Sequence, residues 1–165
     1  SASYNDDGST TEGTAEGGRQ IVLYSVNDFN FELEQIQSYA HVMHHEFAHI
    51  LHQNVEYDAE FEKITPSYSS SWMQMNDETA RSKGFITAYA FSSADEDFAE
   101  MVSIMLTNSP EDWDNMIENA GNAAAVEALR KKEAIVVAYM KNNWGVNMKD
   151  FQKEVVAAIE AAVRN

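Results

Sequence analysis

His41-Val42-Met43-His44-His45-Glu46-Phe47-Ala48-His49-Ile50-Leu51-His52 contains all five histidines of the 165-residue chain. Within it lies His45-Glu46-x-x-His49, an HExxH pattern. Ile36, Tyr39, Val42, Met43, Phe47, Ile50 and Leu51 recur around it at three- and four-residue steps, with no Gly or Pro between them. That periodicity predicts a helix over residues 35 to 53. On such a helix His41, His45, His49 and His52 fall within roughly 80° of one another. His45 and His49 are one turn apart on the same face, so two imidazole nitrogens can point at one metal ion. Glu46 follows the first of them and can serve as general base to a metal-bound water.

The flanks set this helix in an α+β frame. Ile21-Val22-Leu23-Tyr24-Ser25-Val26 is a β-branched and aromatic run, which predicts a strand that Asn27-Asp28-Phe29-Asn30 breaks. Residues 1 to 19 are rich in Ser, Thr, Gly, Asp and Glu and read as a linker or a weakly packed edge, although Gly17-Gly18 could turn a hairpin. The domain proper is expected over residues 20 to 165. Residues 57 to 83 show no clear period. A long loop is expected at 65 to 72 and a short helix at 77 to 81. A second long helix, started by Ser93 with Glu96 in a capping-box arrangement, turns Phe98, Met101, Val102, Met105 and Leu106 inward and ends at Asn108-Ser109-Pro110. Three more helices follow. The first starts at Pro110 and carries Trp113 and Ile117. The second is Ala-rich and closed by Gly145. The last is capped by Asn147, with Phe151, Val155, Val156, Ile159 and Val163 facing inward.

Composition narrows the chemistry. Eleven basic residues against 27 acidic ones give a net charge of −16, which repels nucleic acid and anionic membranes; no nucleic-acid partner is expected. The chain has no cysteine, so a metal would have to be held by His, Asp or Glu. No apolar run approaches the ~20 residues of a membrane span. The chain begins at Ser1 rather than Met, so a targeting segment would lie upstream of it.

A catalytic zinc takes three protein ligands and leaves a position for water. The pattern with a third histidine six residues after the second fails: His52 stands where its glycine would be, and Val55 where the histidine would be. His52 and His41 would stretch the site along one helix and read as neighbours, with His44 on another face. A carboxylate is then the expected third ligand. Ala94-Asp95-Glu96-Asp97-Phe98-Ala99-Glu100 offers four. Glu96 and Glu100 are one turn apart, so one could bind metal while the other accepts an N–H from a ligating histidine. Spacing alone does not separate the two. Tyr89, seven residues before Glu96, could donate a hydrogen bond to an oxyanion; a Tyr among apolar neighbours could equally be core.

His45-Glu46-Phe47-Ala48-His49-Ile50-Leu51-His52-Gln53, with Gly84-Phe85-Ile86-Thr87-Ala88-Tyr89-Ala90 and Glu96-Asp97-Phe98-Ala99-Glu100, resembles the zinc-binding metallopeptidases found as bacterial surface lipoproteins. The likeness runs on through Trp72 and Tyr139-Met140-Lys141-x-x-Trp144-Gly145. The spacing of Tyr89, Glu96 and Glu100 is also similar to that in the gluzincin-like catalytic domain of anthrax lethal factor. The resemblance implies a zincin-like fold and one zinc ion, with His45, His49 and Glu96 as its ligands. It makes Glu46 the general base, Tyr89 the electrophile, and Glu100 an outer partner holding a ligand. It further implies a peptide or protein substrate, a lipid anchor upstream of Ser1, a place at the bacterial cell surface, and association with TonB-linked nutrient import complexes in the outer membrane. Two other readings stand beside peptide-bond hydrolysis: a zinc-containing binding or assembly component with little turnover, and a metal-scavenging histidine stripe.

Overall fold

The computed structural model describes residues 3–4, 10–24, 26 and 32–163. Two short antiparallel pairs of strands come first: β1 (Ser3–Tyr4) with β2 (Thr10–Thr11), and β3 (Gly13–Glu16) with β4 (Gln20–Leu23). Gly17 and Gly18 turn the second pair with φ of 57° and 66°. Positive φ at both turn positions matches the right-handed twist of a hairpin and needs no Cβ. The register runs from Gly13 opposite Leu23 to Glu16 opposite Gln20. The strand expected to reach residue 26 therefore stops at Leu23, and part of residues 1 to 19 is paired. Asn27-Asp28-Phe29-Asn30, expected to break the strand, lies outside the described residues.

Seven helices follow among the described residues: α1 (Leu33–Asn54), α2 (Glu60–Ile64), α3 (Asp77–Ser82), α4 (Ala94–Thr107), α5 (Pro110–Glu118), α6 (Ala123–Trp144) and α7 (Met148–Val163). Hydrogen bonds fix the ends of several of them, at Ser93 as its capping signal predicts and at three further caps that were not anticipated. The side chains of Asn76, Ser93, Ser109 and Asn122 each accept an N–H in the first turn of the helix they precede. Gly145, at φ 69°, closes α6 with N–H bonds from itself to Lys141 and from Val146 to Met140. Three expectations fail. Helix α2 was not anticipated; one turn that buries only Phe61 leaves no period to read. A tight turn at Ser70–Gln74 cuts into the loop expected at 65 to 72, and another, not anticipated, forms at Tyr89–Phe91. Val163 is exposed, because α7 has run past the elements it packs on.

Helix α4 is the centre of the molecule. It packs against α1, α6 and α7, and its residues from Asp97 to Thr107 are buried on almost every side. Phe98 anchors it: the Tyr57 ring stacks on it at 4.4 Å and the rings of Phe61 and Tyr139 meet it edge-on. The β3–β4 hairpin lies across α1. A Cβ on Gly13 would stand 2.8 Å from Cγ of Glu46 and 2.9 Å from a methyl of Val42, so glycine is what lets the strand descend onto the helix there. At the other end of the hairpin the Gly18 N–H donates to Gln53 Oε1 and Asn54 Nδ2 donates to the Gly18 carbonyl, both at 2.7 Å.

A candidate metal centre

The histidine face of α1 turns toward the first turns of α4. His45 Nε2 and His49 Nε2 are 3.0 Å apart, and Glu96 Oε2 lies 2.9 Å from the first and 3.2 Å from the second. Glu96 is delivered by its cap: Ser93 accepts the Glu96 N–H, but the Glu96 side chain does not fold back to complete a capping box and reaches across to the histidines instead.

The chemistry of these three atoms decides what fits between them. His45 Nδ1–H donates to Glu100 Oε1 at 2.7 Å, which leaves its Nε2 a lone pair in the neutral ring. A carboxylate oxygen and a second imidazole nitrogen stand against that lone pair. Three acceptors at such distances need a cation among them. A tetrahedral zinc with bonds of about 2.0–2.2 Å sets its ligand atoms roughly 3.3 Å apart, close to the spacing found. The residues therefore fit a zinc ion. Without one, protons must do this work. Burial disfavours the His45 cation, but Glu100 and Glu96 beside it outweigh that and push His45 up to about 10. Burial likewise disfavours an ionised Glu96, yet His45 and His49 hold it down to about 2.

Glu100 is fully enclosed. Burial alone would raise its carboxyl, but His41 and His45 hold it well below the usual carboxylate range. Its Oε1 accepts from His45 and lies 3.1 Å from His41 Nε2, and its Oε2 accepts from the Thr87 hydroxyl at 2.6 Å. His41, His45 and Glu100 form a second group of possible ligand atoms, but there the carboxylate is enclosed and its Oε2 is taken by Thr87. His52 stands behind His49, 2.8 Å from its Nδ1, and burial holds it below its ordinary value, as a neutral acceptor. His44 faces elsewhere: it donates to the Ala40 carbonyl and meets Phe151 of α7 edge-on.

A cleft of about 280 Å³ opens beside His45, with Gly13, Val42, Glu46, Trp72 and Tyr89 in its walls. Burial raises the Glu46 carboxyl, with His45 and His49 pulling the other way. The Tyr89 ring lies 5.8 Å from that of His45 and is met edge-on by Trp72 at 5.0 Å. Burial and the nearby Glu96 carboxylate push its phenol well above the ordinary range, so it stays protonated. Thr87 had no sequence signal: a lone Thr in an apolar stretch does not announce a carboxylate partner.

Residues 1–149 match the protein family described as "putative zinc-binding metallo-peptidase". The chain belongs to this family. Its fold is similar to a crystal structure, at 2.10 Å resolution, of "a putative zinc-binding metallo-peptidase" from Bacteroides caccae, with 33% sequence identity and a TM-score of 0.80 over 94% of this chain. The alignment takes in 60% of that protein, so the present chain spans only part of its length. No curated protein matches.

Proposed function

We propose that the chain is a zinc-dependent peptidase, with His45, His49 and Glu96 as the ligands of one ion, Glu46 as general base and Tyr89 as hydrogen-bond donor to the oxyanion. The observation that carries this reading is the convergence of three acceptor atoms within 3.2 Å, one of them on His45 in the wall of a cleft that also contains a raised carboxylate and a protonated phenol. The group His41, His45 and Glu100 is the poorer site: Glu100 is enclosed and its other oxygen accepts from Thr87, whereas Glu96 is partly exposed and leaves room for a water.

When bound, zinc acidifies a water and polarises the scissile carbonyl. Glu46 accepts the proton of the attacking water and passes it to the departing amine; a carboxyl raised by burial holds that proton better than an exposed one. Tyr89, held against Trp72, presents its O–H to the oxygen that gains charge. Glu100 fixes the His45 ring so that Nε2 remains the ligand. The acidic surface repels anionic partners and favours neutral or cationic peptides. On the strength of the resemblance we place the protein at the bacterial cell surface, anchored by a lipid upstream of Ser1, beside TonB-linked import complexes.

Purified protein should carry about one zinc per chain by elemental analysis. Glu46→Gln should keep that metal and lose hydrolysis of a mixed peptide library by roughly 100- to 10,000-fold. Undiminished turnover in the variant removes Glu46 from its role, and a zinc-loaded wild type with no turnover favours the binding or assembly reading.

A further inference from the structure

Two buried charges lie outside this ligand set. Lys132 of α6 has no exposed surface. Its ammonium donates to Asp97 Oδ2 at 2.6 Å and to the Gly84 carbonyl at 2.7 Å, and stands 4.2 Å over the Phe85 ring. Asp97 is equally enclosed. Its Oδ2 also accepts the Tyr68 hydroxyl at 3.1 Å, while its Oδ1 has no partner among the described residues. Burial pushes the carboxyl up and the amine down, each toward its neutral form, against their mutual attraction.

As a source of stability this is a poor arrangement. Buried ion pairs can often be exchanged for apolar residues of similar volume at no loss, and here one carboxylate oxygen is left unsatisfied. What the network does achieve is geometric. Asp97 is the residue after Glu96 on α4. Gly84 opens the segment that carries Thr87 and Tyr89. At φ 85° it presses against α6 so closely that a Cβ would stand 2.9 Å from Ala128 Cβ and from Thr65 Cγ2. One ammonium thus ties α6 to the two elements that deliver Glu96 and Tyr89 to the cleft.

We propose that Lys132 is a positioning residue: through Asp97 and the Gly84 carbonyl it sets Glu96 and Tyr89 against His45 and His49. The proposal rests on the ligand set given above, but it is read from metal geometry and does not need turnover.

The test uses cobalt(II) as the probe, with its visible absorption reporting ligand geometry, together with zinc affinity by chelator competition and thermal melting. Lys132→Met should lower the melting temperature and change the cobalt spectrum. Lys132→Met combined with Asp97→Leu removes the stranded charge. It should recover the melting temperature, keep the altered spectrum and bind zinc at least about tenfold more weakly than wild type, the loss typical when an outer support of a ligand is removed. A double variant with wild-type spectrum and affinity overturns the proposal and makes the pair a packing element. If neither variant folds, Asp97→Asn carries the same comparison: a changed spectrum supports the proposal, an unchanged one overturns it. A wild type that binds cobalt but hydrolyses nothing overturns the peptidase reading and leaves this one standing. A wild type that takes up no cobalt overturns both.

Discussion

His45 and His49 are one turn apart on α1 and present the same nitrogen to the same point, yet they are held in opposite ways. Behind His45 is a buried carboxylate, Glu100, itself gripped by His41 and Thr87. Behind His49 is a neutral ring, His52, which packs edge-on against Tyr57 and Phe98. A carboxylate behind a ligand fixes the ring and makes its free nitrogen more basic; a neutral imidazole chiefly fixes the ring. The difference teaches that the helical repeat alone does not make the two histidines equivalent. Their surroundings differ: a buried carboxylate stands behind His45, and behind His49 a second imidazole that is itself packed on Tyr57 and Phe98.

The largest test of this contrast removes carboxylates. Glu96→Ala takes away a proposed ligand and should cost most of the zinc. Glu100→Ala takes away the support of His45 and should weaken zinc binding by about 10- to 100-fold. If Glu100→Ala loses more metal than Glu96→Ala, the two carboxylates exchange roles and His45 is held the other way round. A smaller change is expected on the His49 side. His52→Ala removes one neutral hydrogen bond and should lower zinc affinity by about 2- to 10-fold, measured by chelator competition. A loss as large as that of Glu100→Ala would erase the asymmetry. The smallest effect is a shift in pH profile, which asks whether burial or the two flanking histidines governs Glu46. The base must be ionised to act, and burial raises its carboxyl. The acid limb of kcat/KM should therefore lie above the ordinary value of 4.5, activity falling as the pH drops through it. A limb at or below that value would give the histidines control.

Much of this was legible from residue patterns because it is local. The histidine face, the cap at Ser93, the helix start at Pro110 and the Gly145 stop each depend on side chains within a few residues of one another. What stayed hidden is non-local or contradicts the usual fate of a residue type. Lys132, in a helix with charged neighbours, reads as solvent-exposed, as lysines usually are; only the packed structure shows it enclosed. Glu96 reads equally well as half of a capping box. Its side chain prefers the histidines because they lie across the helix pair, a fact of tertiary packing. The first three strands have short, mostly polar sequences, and the pairing of β3 with the apolar β4 is visible mainly through the two glycines between them.

The glycine at position 13 has a consequence for how the cleft can breathe. Strand β3 rests on Val42 and Glu46, and its hairpin is hydrogen-bonded to Gln53 and Asn54 at the far end of α1. That wall and Glu46 are one mechanical piece. Neither the hairpin strands nor the opposite wall, the turn bearing Trp72, buries a residue. The hairpin, however, is paired over four residues on each strand and bonded to α1, while the turn's own hydrogen bonds are local. Segments held by local hydrogen bonds open at lower free energy than those tied along their length to a neighbouring element. On the proposed function, the cleft would therefore act as a vise with one fixed jaw, a peptide being gripped from the Trp72 side while the side that carries Glu46 stays still. Amide hydrogen exchange should be slower in β3 and β4 than in the turn at Ser70–Gln74.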